Sequence, residues 1–137
     1  MTTEPAKKTL KIILDSNSLF VPLQFKIDII EQLRILLNQN FTPIILSPIR
    51  RELEKLANVG SAQTRKNASY ALKLAEKCEL VEIDEETSAD DAILETAAKR
   101  NCPVFTNDRQ LRKKLRDINV PVIYVRQKSR LEIEGRI

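Results

Sequence analysis

Leu10-Lys11-Ile12-Ile13-Leu14 is a short, almost unbroken apolar run that stops at Asp15-Ser16-Asn17. A run of this kind predicts a strand buried on both faces and closed by turn-forming side chains. Thr42–Leu46 and Leu80–Ile83 predict two more strands, and the shorter Pro103–Phe105 runs into Thr106-Asn107-Asp108. Pro121–Val125 predicts a last strand, placed at an edge because proline has no N–H for a ladder. Between these runs the apolar period changes to that of a helix. Ile27, Ile30, Leu33, Leu36 and Leu37 mark one between Lys26 and Gln39. Ser47-Pro48 predicts a helix start, with serine as N-cap and proline at the first helical position, and Ile49, Leu53, Leu56 and Ala57 facing inward. Past the Gly60-Ser61 break, Ala68, Ala71, Leu72 and Ala75 predict a helix ending near Cys78. Ser88 to Arg100 reads as a capped helix with Ile93, Leu94, Ala97 and Ala98 inward, and Gln110–Ile118 as a basic helix.

Strands alternating with helices predict βαβ units and a parallel sheet covered on both faces. The 137 residues suit one α/β domain, 1–137, with residues 1–8 and 127–137 expected as flexible or extended ends. At 42% hydrophobic and 31% charged, the composition is globular. With no leader-like opening and no apolar stretch long enough to span, the expectation is a cytoplasmic protein without a membrane partner. Two cysteines, Cys78 and Cys102, are too few for a four-thiolate zinc site and read as free thiols.

One count narrows the chemistry: the chain has no histidine. Catalytic triads, Cys–His pairs and His-ligated zinc are excluded. In parallel α/β sheets, ligands bind beyond the carboxyl ends of the strands, and acids fall at that address. Asp15 closes the first strand and Asp108 follows the fourth. Asp90 and Asp91 open the helix after the third, and Glu52 lies early in the helix after the second. Carboxylates gathered this way repel one another unless hard divalent cations offset the charge. Mg²⁺ or Mn²⁺ suits such oxygen donors and can serve phosphodiester hydrolysis.

Each acid also has a plain structural role open to it. Asp15 can close a turn, and Asp108 can cap the basic helix. Ser88-Ala89-Asp90-Asp91 has the form of a capping box, which gives Asp91 a helix-end role. Asp90 falls among Ile93, Leu94 and Ala97 on the helical wheel, an odd place for a solvated carboxylate, and therefore ranks above Asp91. Glu52 borders its helix's apolar face, with a surface pair to Lys55 as the ordinary alternative. Their convergence on one rim, rather than any single acid, carries the reading.

The charge pattern is polarised. Lys+Arg 23 against Asp+Glu 19 gives only +4, yet Arg109–Arg130 holds eight bases and one acid, while Glu79–Glu95 holds eight acids and no base. Arg109, Arg112, Lys113 and Lys114 follow Asp108 directly and are candidates for holding a nucleic-acid backbone. Four Phe, two Tyr and no Trp leave no aromatic stacking platform of the kind single-strand binders carry.

Four blocks in this order resemble the PIN-domain ribonucleases: Ile13-Leu14-Asp15-Ser16-Asn17, Arg51-Glu52-Leu53-Glu54-Lys55-Leu56, Ala89-Asp90-Asp91-Ala92-Ile93 and Phe105-Thr106-Asn107-Asp108-Arg109-Gln110-Leu111. Val120–Arg126 is similar to the branch containing the small-subunit rRNA-processing PIN nuclease and its archaeal relatives, with VapC-type toxins as cousins. The resemblance implies a five-stranded parallel sheet of order 3-2-1-4-5. It also implies a Mg²⁺ or Mn²⁺ site in which Asp15, Asp90 and Asp108 hold the metal and Glu52 completes the catalytic set. Asn17, Asp91 and Thr106 would support it. Ser16 stands where the family usually has threonine, and Gln110 where many toxins carry a further acid.

The expectation is a metal-dependent endoribonuclease, in RNA processing or as a toxin. RNA, a homodimer, and an antitoxin or ribosome-assembly protein are the partners such relatives suggest. The alternative is a non-catalytic PIN-like module for RNA binding or assembly. A phosphoacceptor receiver domain fits poorly, because Tyr124-Val125-Arg126 lacks the lysine it needs after its last strand.

Overall fold

The apolar runs pair into one sheet in the computed structural model, which describes residues 9–137. Its strands are β1 (Leu10–Leu14), β2 (Phe41–Leu46), β3 (Glu79–Val81), β4 (Val104–Phe105), β5 (Val122–Arg126) and β6 (Arg130–Glu134), in the spatial order β3-β2-β1-β4-β5-β6. The first five run parallel, and β6 pairs antiparallel with β5. At the centre, Ile13 lies between Ile44 and Val104, and Leu14 is level with Phe105. Ile12, Ile13 and Leu14 are all fully buried. Because successive strand residues point to opposite faces, both faces are covered. Pro43 sits in β2 where the strand pairs only with β1, since β3 joins at Ile44.

Six helices connect the strands: α1 (Val21–Phe25), α2 (Ile29–Leu37), α3 (Ser47–Asn58), α4 (Ala62–Ala75), α5 (Ala89–Arg100) and α6 (Arg109–Asp117). A 3-10 turn, Ser16–Phe20, leads from β1 into α1. The helix expected from Lys26 starts three residues later. Lys26 takes a left-handed φ of 55° that ends α1, and the Asp28 carboxylate caps α2 by accepting the Glu31 N–H. Ser47 does not cap α3. It is buried, and its hydroxyl accepts the Ile83 N–H at 2.8 Å, tying the start of α3 to the loop that leads into α5.

One expectation at the C-terminal end is overturned, that of the last parallel strand as an edge. Residues 130–134, within the end expected to be flexible or extended, are extended as β6, in register with β5 from Val122↔Glu134 to Arg126↔Arg130. Consequently β5 is not an edge strand: Pro121 precedes it, and only its carbonyl is used, accepting the Val104 N–H. Alternation explains β6, for Leu131 is buried while Glu134 pairs with Arg112 at 2.8 Å and Arg116 at 3.8 Å on α6. Gly135 has φ +101°, and a Cβ there would strike the Arg116 guanidinium, so the position needs glycine twice over. Residues 1–8, expected to be flexible or extended, lie outside the described residues. Among the described residues, no helix is long and apolar enough to cross a membrane.

Candidate active site

Asp15 ends β1 in the body of the sheet, and the chain surrounds its carboxylate with donors. Thr106 Oγ1 donates to Oδ2 at 2.7 Å, Asn17 Nδ2 donates to the same oxygen at 3.1 Å, and the Ser16 N–H donates to Oδ1 at 2.8 Å. The Ser18 hydroxyl holds the Asp15 carbonyl at 2.6 Å. Thr106 is wholly buried and directs its hydroxyl because it also accepts the Asp108 N–H at 3.1 Å. One hydroxyl therefore links the ends of β1 and β4 and fixes Asp15 and the Asp108 backbone together. Asn17 closes the loop, accepting the Asn107 N–H at 3.0 Å, while Asn107 Oδ1 accepts the Val125 N–H at 2.8 Å.

Asp108 fills its capping role and keeps an oxygen free. Its Oδ1 caps α6 by accepting the N–H groups of Gln110 and Leu111, and the side chain stays exposed at the rim. Capping uses one oxygen and leaves Oδ2 open. Asp90 is exposed in the first turn of α5, ahead of the buried Ala92 and Ile93, so its place on the wheel beside Ile93, Leu94 and Ala97 does not bring burial. The first turn lies before the helix meets the core, and there the wheel does not report burial. Asp91 gives its backbone N–H to the Ser88 hydroxyl, the cap that the sequence pattern predicts. Glu52 does not pair with Lys55 among the described residues, whereas Glu54 pairs with Arg50 at 3.0 Å.

Electrostatics separate the acids that the fold brings together from those it does not. Burial pushes the Asp15 carboxyl above its ordinary range, and the charges of Asp90 and Asp108 push the same way, against the Thr106 and Ser16 hydrogen bonds. Glu52 keeps an exposed side. Its carboxyl is nonetheless raised, first by lost hydration and then by the charges of Asp15 and Asp90. Asp15 thus feels the charges of Asp90 and Asp108, and Glu52 those of Asp15 and Asp90, which links the four carboxylates through one negative field. None of the four forms an ion pair among the described residues. Nor, among those residues, do three acids or thiols stand close enough together to form a ready-made metal cluster. The donor chemistry, oxygen only and crowded with like charge, suits a hard divalent ion. Thiol chemistry is remote: Cys78 and Cys102 are free, and burial pushes Cys78 up to about 11.

The basic candidates divide. Arg109 borders a cavity of about 630 Å³ that reaches Asn17 and Thr106. Arg112 borders it too, but its guanidinium lies 3.8 Å from the Tyr124 ring centroid and is paired with Glu134. Lys113 and Lys114 are exposed on α6; Lys113 lines a neighbouring cleft, and Lys114 lines neither. Sequence reasoning gave no role to Asn107 or Ser18 and read Ser47 as a helix cap, whereas all three side chains hold backbone groups around the site. Their signal was the cluster of Ser, Asn and Asp at strand ends, which predicts turns but not partners.

The sequence matches the PIN like domain family over residues 12–128. The chain belongs to that family. Ribonuclease VapC4 of Methanocaldococcus jannaschii is 36% identical over 129 residues, covering 93% of this chain and 98% of the relative. Ribonuclease VapC9 of Archaeoglobus fulgidus is 34% identical over 122 residues, covering 89% and 87%. Among solved structures, the PIN domain endonuclease Utp24 superimposes with a TM-score of 0.76 at 29% identity, covering 93% of this chain and 92% of its own. The PIN-like fold has the parallel order expected, 3-2-1-4-5, extended by the antiparallel sixth strand.

Proposed function

We propose that this PIN-domain protein is an endoribonuclease dependent on Mg²⁺ or Mn²⁺. The observation that carries the reading is the shared field of Asp15, Glu52, Asp90 and Asp108 at the carboxyl rim, with no ion pair to any of them among the described residues. The ribonuclease names of the two archaeal relatives and the endonuclease name of the structural neighbour supply the reaction class. Asp15, Asp90 and Asp108 would hold the ion. When bound, it supplies charge stabilisation at the phosphodiester and makes water acidic enough to act as a nucleophile near neutral pH.

The chain's own groups do the rest. Thr106 and the Ser16 N–H favour the charged form of the Asp15 carboxylate against its burial, and with Asn17 hold it in one rotamer, so that little reorganisation is needed at the moment of reaction. Glu52, early in α3, orients the attacking water by accepting its hydrogen bond. Arg109, with Lys113 and Lys114, draws in the RNA backbone. The VapC names of the relatives also support an antitoxin as partner for this chain.

The test is cleavage of single-stranded RNA with Mn²⁺, with chelator as control. Wild type should cut, and Asp15→Asn and Asp108→Asn should lose at least 100-fold, on the order expected for removing an electrostatic element of an active site. Asp15→Asn cutting at the wild-type rate would sink the assignment. The lack of a ready-made cluster among the described residues favours a second reading, a non-catalytic RNA-binding module. RNA binding unchanged by chelator, with no cleavage in any divalent ion, would identify it.

A further inference from the structure

The cavity of about 630 Å³ beside the rim opens between α6 and the β5–β6 hairpin, and reaches Asn17 and Thr106 of the acidic site. On its wall, the Arg112 guanidinium carbon lies over the Tyr124 ring, 3.8 Å from its centroid, while Arg112 Nε is held by Glu134 at 2.8 Å. Tyr124 is itself fixed by a hydrogen bond from its hydroxyl to Glu132 at 3.2 Å. The Arg112 side chain still keeps 32% of its surface exposed. A guanidinium locked this way, with its charge already partnered, is a poor phosphate clamp and a good flat surface: its stacking plane is set in advance and loses little freedom when another plane lies on it.

We propose that Arg112, backed by Tyr124, is a nucleobase-stacking platform that seats one base of single-stranded RNA next to the phosphodiester at the acidic rim. Two independent features fit this occupant. Phe25 gives the same cavity an apolar patch, and Arg109 and Lys128 border it without ion pairs among the described residues, leaving cations for the adjoining phosphates. The volume lies within the range of small-molecule sites and accommodates a nucleoside. Bases stack on arginine planes as they do on aromatic rings, so a chain poor in aromatic residues need not lack a platform. The hairpin carrying Tyr124, Glu132 and Glu134 thus has a substrate-binding purpose. The inference deepens the ribonuclease reading and takes the identity of the polymer from it.

The experiment measures binding of a short, non-cleavable 2′-O-methyl RNA to the full chain in chelator, with a single abasic site moved along the strand. Wild type should show one position at which losing the base weakens binding about 5- to 150-fold, the span expected for one stacked base. Arg112→Lys keeps the charge and removes the plane; it should bind intact RNA as weakly as wild type binds that abasic strand, with no further loss at that position. Tyr124→Leu should act in the same direction while melting normally. If Arg112→Lys binds like wild type, or if no abasic position matters, the platform is overturned. Cleavage by wild type in Mn²⁺ alongside those results leaves the nuclease reading standing. Conversely, an Arg112-dependent base position without cleavage in any metal supports the platform and removes the nuclease.

Discussion

Thr106→Val probes the network around Asp15 with little change in shape. Thr106 is wholly buried, and its hydroxyl makes a 2.7 Å bond to the Asp15 carboxylate while accepting the Asp108 N–H at 3.1 Å. Valine fills the same space but cannot form either bond. Losing a hydrogen bond to a charged group costs about 1.5–3 kcal/mol, and leaving the Asp108 N–H without that acceptor adds about 1 kcal/mol, for a total of about 2–4 kcal/mol at neutral pH. The pH dependence has a definite sign. Asp15's folded carboxyl is raised above its ordinary value, so the folded chain holds a proton that the unfolded chain has released. Stability is therefore lost as pH rises through that window. The Thr106 hydroxyl opposes the shift, so its removal raises the carboxyl further. The deficit of Thr106→Val should then be full above Asp15's folded value and shrink on acidification through it toward the worth of a neutral hydrogen bond, about 1 kcal/mol. Urea unfolding of wild type and variant across this range measures it. Thr106→Ser, which keeps the hydroxyl, should cost only about 1 kcal/mol for its lost methyl, independent of pH. A Thr106→Val deficit below about 0.5 kcal/mol at pH 7, or one that grows on acidification, would refute the reasoning.

Three further outcomes follow from the same physics. Asp15→Asn removes a charge that burial and two neighbouring carboxylates disfavour, so the metal-free variant should be more stable than wild type at neutral pH. That advantage should close as pH falls through Asp15's folded value, as urea titrations would show. Ending the chain at Lys128 removes β6 together with its buried Leu131 and exposes β5. It should cost about 3–5 kcal/mol and produce concentration-dependent aggregation by light scattering, where a dispensable tail would change neither. Gly135→Ala should lower stability by about 1–3 kcal/mol through the positive φ and the Arg116 contact, read as a falling melting temperature.

The parallel core was legible because its strands are buried on both faces at their carboxyl ends: Ile12–Leu14 and Ile44–Leu46 are apolar without a break, and the first turns polar at Asp15 where it leaves the sheet. Asp15 and Asp108 were found by that change. What escaped notice depends on partners distant in the chain. Arg130-Leu131-Glu132-Ile133-Glu134 alternates as an edge strand does, but its charges masked the pattern until Arg112, Arg116 and Arg126 were seen to match them. Ser47 carried a genuine helix-start signal and was diverted by the Ile83 N–H 36 residues away. Asp90's helical wheel position was read correctly, but in a first turn that position does not imply burial. Arg112 was legible as a cation and not as a plane, since its geometry is set by Tyr124 and Glu134 from strands after its own helix.

The central claim is that the rim carboxylates act as one divalent-ion site. Equilibrium Mn²⁺ binding by calorimetry, on wild type, Asp90→Asn and Asp91→Asn, tests it most directly. The account predicts that wild type binds Mn²⁺, that Asp90→Asn weakens binding at least 10-fold, and that Asp91→Asn, at a residue outside the proposed ligand set, leaves it within about twofold. Wild type that binds no Mn²⁺, or Asp91→Asn as damaging as Asp90→Asn, would contradict it.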